Sequence, residues 1–222
     1  AHRDLHSFPT RRSSDLASPY LDMNSARSLV VNVNPFELNL NLIKNHVGFT
    51  TGIGFSTANY YFTGNRVMLS DSSTLKAYRI QDEKGNLVGL DKNKLVVSHL
   101  NVPLLFEYQT NPYRRLSSFH FSLGVIAGVR IGSYTKQVYQ EKDGQYFLVD
   151  DQGQKVATYD VKRHVVRTKG SYHLSPFKMD ATVRIGWSYL KLYGTYSLTS
   201  MFQKDKGPEV YPFSVGITLA GW

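Results

Sequence analysis

The 222-residue chain contains no cysteine, which excludes disulfide frameworks, thiol catalysis and cysteine metal sites together. It also has no run approaching the roughly 20 apolar residues that a membrane-spanning helix needs. A helical membrane protein is therefore excluded. A membrane β-barrel is not excluded, because each of its strands needs only about 9 to 11 residues and gives a weak signal in the sequence.

Motifs of catalysis are missing as well. The sequence has no Gly-x-Ser-x-Gly, no His-Glu-x-x-His and no glycine-rich phosphate loop, and its 7 histidines are not at metal-ligand spacing. Two histidine–aspartate pairs are available, His164 with Asp160 and His173 with Asp180, but such a pair is common by chance. We therefore predict no enzymatic activity, no cofactor and no metal site.

Acidic residues are the minority charge. The formal net charge is +9, from 26 lysines and arginines against 17 aspartates and glutamates. The basic residues are scattered over predicted loops, so the sequence does not predict nucleic-acid binding. Overall composition does not distinguish a soluble β domain from a membrane barrel, because 41% hydrophobic residues and a mean hydropathy of −0.30 fit both classes.

What the sequence does contain is a repeated alternation of apolar residues with small or polar ones. Strand side chains alternate between two faces, so each such segment has one apolar face. In the last segment this face consists of Phe213, Val215, Ile217 and Leu219. The same alternation recurs at 181–187, 119–132, 100–108 and 47–55. One apolar face opposite a small or polar face is typical of outer-membrane strands.

Seven strands are predicted from this pattern and from the turn residues between them. Long connections at 63–94 and 137–172, and a medium one at 202–211, alternate with tight turns. The connection at 63–94 is expected to fold into a hairpin of its own. In the first strand the alternation shifts at Pro35, as expected of a proline at a bulge. The predicted strands are 28–42, 46–62, 95–109, 118–136, 173–188, 190–201 and 213–222.

Alternating loop lengths predict an all-β, antiparallel up-and-down transmembrane β-barrel, since bacterial barrels have tight periplasmic turns and long outer loops. An even number of strands requires one more, so we expect an eight-stranded parent barrel whose first strand is missing here. Residues 6–16, HSFPTRRSSDL, resemble a translated sequencing adapter. We therefore expect residues 1–27 to be a non-native or disordered leader and residues 28–222 to be the barrel domain.

Aromatic residues near the predicted strand ends favour interfacial girdles, although strands are also enriched in aromatics for reasons of packing. On the long-loop side these residues are Tyr60, Tyr61, Phe62, Tyr134, Tyr172, Phe202 and Tyr211. On the turn side they are Tyr108, Phe119, Trp187, Tyr189 and Trp222.

A barrel of eight strands is just wide enough for its own side chains to fill. Charges at inward positions must be paired to be tolerated, so we expect a structural network in the lumen. Glu107 and Arg130 are expected to face each other from adjacent strands. A narrow ion path or ligand site is the alternative. The predicted lumen network is Glu107, His120, Arg130, Asp180 and Arg184.

A basic run falls in the second long connection. It consists of Lys162, Arg163, Arg167 and Lys169. One interpretation is ordinary solvation. The other is contact with the phosphates of outer-leaflet lipopolysaccharide, through the charge-assisted hydrogen bonds that lysine and arginine make to phosphate. Both interpretations stay open at this point.

Three segments carry a family resemblance: NVPLLFEY at 101–108, LYGTYSLTSMF at 192–202 and GPEVYPFSVGI at 207–217. They resemble the outer-membrane β-barrel, or porin-family, proteins of the Bacteroidota. The resemblance implies a location in the bacterial outer membrane, contact with its lipids, and insertion by the barrel-assembly machinery. The chain departs from the usual carboxyl-terminal assembly signal, because Trp222 is one residue out of phase with Leu219.

The sequence therefore predicts a small outer-membrane β-barrel with a structural or surface-interaction role and a lumen filled by side chains. One alternative is a porin-like channel for ions or small solutes. Another is a soluble lipocalin-like barrel that binds an apolar ligand, which requires an apolar lumen and a polar exterior.

Overall fold

The chain folds into two antiparallel β-sheets. The computed structural model describes residues 7–11, 23–44, 46–63, 66–69, 75–111, 118–140, 144–150, 152–161, 165–188 and 190–219. In chain order the strands are β1 (Ser7–Arg11), β2 (Leu29–Ile43), β3 (Val47–Tyr61), β4 (Arg66–Met68), β5 (Ala77–Gln81), β6 (Leu90–Gln109), β7 (Phe119–Tyr139), β8 (Gly144–Val149), β9 (Lys155–Val161), β10 (Val165–Lys169), β11 (Phe177–Trp187), β12 (Leu190–Ser197) and β13 (Val210–Leu219). A short 3-10 helix, Ser25–Arg27, precedes β2. Within these ranges no helix is long and apolar enough to cross a membrane.

The larger sheet forms the wall of a barrel. Its strands follow the order β1-β13-β12-β11-β7-β6-β3-β2, and every pair is antiparallel. The two ends of this order approach each other, with Cα atoms of β1 and β2 within 8 Å. All seven strands predicted from the alternation are present, as β2, β3, β6, β7, β11, β12 and β13. The predicted all-β antiparallel barrel architecture is confirmed.

The place between β13 and β2, where the parent barrel is expected to have its first strand, is taken by β1. The five residues of β1 pair with β13, from Ser7 opposite Ser214 to Arg11 opposite Val210. They lie inside the adapter-like segment, whose origin stays a prediction.

The barrel wall is apolar outside and small or polar inside. Phe36 and Trp187 point outward and are 69% and 61% exposed, whereas the inward Ser122 and Thr182 are 1% and 2% exposed. This confirms the predicted assignment of faces and is the reverse of what a soluble lipocalin-like barrel requires. We call the exposed outward residues the apolar belt; they include Phe36, Leu38, Leu40, Ile53, Phe55, Leu100, Val102, Leu104, Phe106, Phe121, Leu123, Val129, Ile131, Val183, Ile185, Trp187, Leu192, Val215 and Ile217.

The height of the apolar belt fits a bilayer. On β7 it runs from Phe121 to Ile131, which is about 33 Å along the strand at roughly 3.3 Å per residue. A strand tilt of about 40° reduces this length to roughly 25 Å, the height of the apolar band of outer-membrane barrels.

Two local features of the wall agree with the sequence. The register between β2 and β3 shifts between Val33 and Phe36, which places a bulge at Pro35 as predicted. Inward glycines also make room for side chains of neighbouring strands. A Cβ at Gly128 would lie 2.6 Å from Asn101 Oδ1 and 2.8 Å from Lys178 Cε.

The smaller sheet joins the two long connections. Its order is β4-β5-β8-β9, and we call it the outer sheet. The β4–β5 pairing is the hairpin predicted in the first connection, while β8 and β9 belong to the second. Strand β5 pairs with β8, from Arg79 opposite Val149 to Gln81 opposite Phe147. Segments about 70 residues apart in the chain therefore form one folded unit, which the sequence alone did not predict.

The outer sheet has an apolar core of its own. Ile80 is 0% exposed, and the rings of Tyr139 and Tyr146 stack with their centroids 5.8 Å apart. Because Tyr139 is the last residue of β7, this core connects the outer sheet to the barrel wall. The cluster comprises Val67, Tyr78, Ile80, Val88, Tyr139, Tyr146 and Leu148.

Close packing inside the wall predicts different outcomes for two glycines. A Cβ at Gly124 would lie 2.1 Å from Leu104 O and 2.8 Å from Leu105 Cα, whereas nothing lies within 4 Å of a Cβ at Gly194. We predict that Gly124→Ala lowers the free energy of unfolding by about 1–3 kcal/mol, because the backbone of β6 must move. Gly194→Ala is the matched control, with an expected change below about 0.5 kcal/mol. Urea unfolding in lipid vesicles measures both, and equal midpoints would contradict this packing.

Candidate functional site

On the side of β7 away from β6, the neighbouring strand is not continuous: it consists of β10 and β11, with a gap between them. Strand β10 pairs with the outer part of β7, and β11 pairs with the remainder. Residues 170–176, which we call the inward segment, leave the wall here, and Tyr172 and Leu174 are 0% and 1% exposed. Tyr172 and His173 have positive φ angles of 47° and 51°. Such angles are uncommon for residues other than glycine and persist only where the surroundings enforce them.

Hydrogen bonds enforce this conformation. The Tyr172 hydroxyl donates to the carbonyl oxygen of Thr168 at 2.7 Å and lies 2.9 Å from Thr135 Oγ1. Arg130 Nη1 donates to the carbonyl oxygen of Ser171 at 2.8 Å. The backbone N–H of Arg130 donates to the carbonyl oxygen of Pro176 at 2.8 Å. Both ends of the inward segment are therefore tied to β7 and β10, which offsets the cost of the two positive φ angles.

The inward segment completes an apolar cluster at the outer end of the lumen. Leu174 forms a β-bridge with Phe202 of the connection between β12 and β13. Inward residues of β3 and β6 pack against the same cluster, so apolar side chains occupy the space inside the outer end of the wall. We call this cluster the apolar plug; its members are Ala58, Tyr60, Met68, Ala77, Leu95, Val97, Tyr172, Leu174, Phe202 and Val210.

The apolar plug corrects part of the predicted aromatic girdle. Tyr60, Tyr172 and Phe202 were expected at the lipid interface, but they are 7%, 0% and 2% exposed inside the barrel. A strand-end aromatic can lie on either face, and here the inward turn at 170–176 brings these rings together. On the turn side, Tyr108 is 47% and Trp187 61% exposed, as a girdle requires. Tyr189 and Trp222 lie outside the described residues.

A cavity of about 90 Å³, lined by apolar and polar residues, extends from the apolar plug toward the turn side of the barrel. Asp180 lies against it at 5% exposure, accepting hydrogen bonds from Lys178 Nζ at 2.7 Å and from the Ser197 hydroxyl. Arg184, also 5% exposed, lines the same cavity and forms no ion pair with any residue that the structure describes. The cavity is small compared with ligand pockets, which commonly measure about 300–1,000 Å³.

The expected pairing of Glu107 with Arg130 is wrong. Glu107 lies opposite Ser122, whose hydroxyl donates to Glu107 Oε1 at 3.1 Å, and Arg130 lies opposite His99. Ser122 and Arg130 are eight positions apart on β7, or about 26 Å along the strand. Strand alternation predicts which face a residue takes but not its register with the next strand, and Arg130 instead bonds to the inward segment.

The predicted lumen residues therefore fall into three groups along the barrel rather than one network. Glu107 and His120 line a small polar pocket at the turn side. Asp180 and Arg184 line the central cavity. Arg130 holds the inward segment near the outer end.

Only part of the predicted basic run lies in the described structure. Arg167 and Lys169 are exposed on β10, and Lys162 and Arg163 lie outside the described residues. The structure adds two cations that the sequence reasoning missed, because they come from other strands. Lys136 of β7 lies opposite Arg167, and Lys94 of β6 lies opposite Lys136.

Candidate metal and acid–base groups are limited. In the part of the chain that the structure describes, no three histidine, aspartate or glutamate side chains are placed to hold a metal ion. The Asp180 carboxylate is engaged by Lys178 and Ser197. His164 and the side chain of Asp160 lie outside the described residues.

The barrel has an apolar outer face and a small or polar inner face, with tight turns on one side and folded connections on the other. This combination is typical of outer-membrane proteins. The family model described as outer membrane protein beta-barrel domain matches residues 12–203. The chain belongs to this family, and its location is the bacterial outer membrane. Comparison with curated proteins found no significant match, and neither did comparison with solved structures.

The buried Asp180 generates a test of the central cavity. We predict that Asp180→Asn lowers the free energy of unfolding by about 2 kcal/mol, because it removes the charge that Lys178 and Ser197 are bonded to. Asp91→Asn, at an exposed position of β6, is the control and is expected to be neutral. Urea midpoints in lipid vesicles give the comparison. An unchanged midpoint for Asp180→Asn would mean that this hydrogen-bonded group contributes nothing to stability.

Proposed function

We propose that this protein is a closed, small outer-membrane barrel that anchors a folded surface unit, the outer sheet, for interaction outside the cell. The observation that carries the proposal is the pairing of β5 with β8. It joins the two long connections into one sheet with a core of its own. Separate loops of this length are costly to order, so a shared core favours a defined surface shape.

A closed lumen supports this role over that of a channel. The apolar plug fills the outer end of the barrel, and the cavity behind it measures about 90 Å³. An eight-stranded barrel has little interior space beyond that of its side chains. A channel for ions or small solutes requires a continuous polar path, and the buried rings of Tyr60 and Tyr172 in the apolar plug disfavour one.

Among the residues that the structure describes, the outer sheet also ends in an edge strand. Strand β9 is the last strand of the sheet order, and residues 152–158 are exposed. A free edge strand can accept a strand from another protein through main-chain hydrogen bonds. Lys155 Nζ lies 3.8 Å from the centroid of the Phe147 ring, which places a charge at this edge.

Bilayer recordings distinguish the closed barrel from a channel. We predict that the wild-type protein gives no discrete conductance in planar bilayers. The double variant Tyr172→Ala and Leu174→Ala removes one aromatic ring and one branched aliphatic side chain from the apolar plug. It is expected to give conductance events, because a cavity is left where these side chains were. Leu190→Ala with Leu192→Ala, on the exposed outer face, is the control and should stay silent. Discrete conductance from the wild type would contradict the closed lumen.

Replacement of the outer sheet tests the surface role directly. Short Gly-Ser turns in place of residues 64–88 and 141–163 remove the sheet and leave the eight-strand path. We predict that this variant keeps heat-modifiable migration on gels, because the wall pairs are intact, but loses any adhesion of expressing cells to each other or to surfaces. Adhesion equal to that of the wild type would refute the surface role of the sheet.

A further inference from the structure

Three cations lie in direct register across the outer face of the wall. Lys94 of β6 is opposite Lys136 of β7, and Lys136 is opposite Arg167 of β10. Directly opposed residues of antiparallel strands share one face, so the three side chains project from the outer face of the wall. There the Lys94 ammonium donates a hydrogen bond to Asn59 Oδ1 of β3 at 2.6 Å. The Lys94 ammonium is 5.4 Å from the ring centroid of Tyr61, the opposed residue on β3. We call Lys94, Lys136 and Arg167 the basic row.

The basic row is short of negative charge. Like charges directly opposed in a sheet repel each other. Among the residues that the structure describes, no carboxylate forms an ion pair with any member of the row. An anion bound at this face would remove the repulsion.

The basic row lies just beyond the apolar belt. Ile131 is the last exposed apolar residue on β7, and Tyr134 and Lys136 follow three and five positions later. At about 3.3 Å per residue and roughly 40° of tilt, these positions are about 8 Å and 13 Å farther out. Tyr134 also lies opposite Lys169 on β10. Aromatic rings mark the headgroup level, and long cationic side chains extend their charged ends toward it.

We propose that the basic row, with Lys169 beside it, binds a phosphate group of a lipid headgroup in the outer leaflet. Lysine and arginine form charge-assisted hydrogen bonds to phosphate oxygens, and arginine can form two in parallel. A lipid is the source rather than free phosphate, because the apolar belt directly below the row receives the acyl chains of the same molecule. The phosphate-bearing lipid of this leaflet is lipopolysaccharide. The lipopolysaccharide contact predicted for the basic run is therefore proposed at a site that also includes Lys94 and Lys136.

The test compares phosphorylated lipid A with the same lipid after its phosphates are removed, using the full chain in detergent micelles. Native mass spectrometry counts the bound lipid. The triple variant Lys94→Gln, Lys136→Gln and Arg167→Gln removes the row. The control Lys44→Gln, Lys84→Gln and Lys204→Gln removes the same charge from exposed positions elsewhere. Phosphorylated lipid A is expected to bind the wild type and the control on the order of tenfold or more tightly than the row variant.

Three results would overturn the proposal. Equal binding of dephosphorylated lipid A would mean that acyl chains alone hold the lipid. Equal loss in the control variant would mean that net charge, not the row, attracts it. Displacement by an equal concentration of inorganic phosphate would assign the site to a free anion instead of a lipid. Heat-modifiable migration of each variant confirms that the barrel is folded, so a loss of binding reports on the site.

Discussion

The structure depends on one constraint, which is that a backbone inside hydrocarbon has no water to satisfy its N–H and C=O groups. Strands must therefore pair on both sides, and the order from β1 through β13 to β2 supplies these pairs for every strand between its two ends, which approach each other. Lipid outside and packed side chains inside then require apolar residues on the outer face and small or polar residues on the inner one. The alternation in every long strand of the chain follows from this requirement.

The narrow interior imposes the next level of organisation. Glycine at 124 and 128 lets groups of neighbouring strands come close to the wall, and polar residues such as Asp180 are held by hydrogen bonds. The inward segment adds apolar side chains where the wall extends past the belt. Strain at Tyr172 and His173 is accepted there because Arg130 and Thr135 hold the segment in place. A filled barrel of this kind leaves little space for a transport path, which is why we propose that the function lies on its outer side.

Features that depend on one strand at a time could be predicted from the sequence. The seven strands, their outward faces and the bulge at Pro35 all follow from the period of two and from proline chemistry. Features that depend on register between distant strands could not. Glu107 was expected opposite Arg130 but lies opposite Ser122. The β5–β8 pairing and the opposition of Lys94, Lys136 and Arg167 leave no local signal, because each joins residues far apart in the chain. The inward segment depends in the same way on contacts with Arg130 and Thr135, which are about 40 residues earlier in the chain.

The barrel assignment rests on the apolar outer face of the wall. Because the chain contains no cysteine, single cysteines can be introduced to test this face. Single cysteines at positions 100 to 106 of β6, labelled with a bimane fluorophore in vesicles of brominated lipid, report contact with acyl chains. We predict quenching at 100, 102, 104 and 106 and little quenching at 101, 103 and 105. Uniform quenching, or none at any position, would contradict a barrel whose outward face lies in lipid.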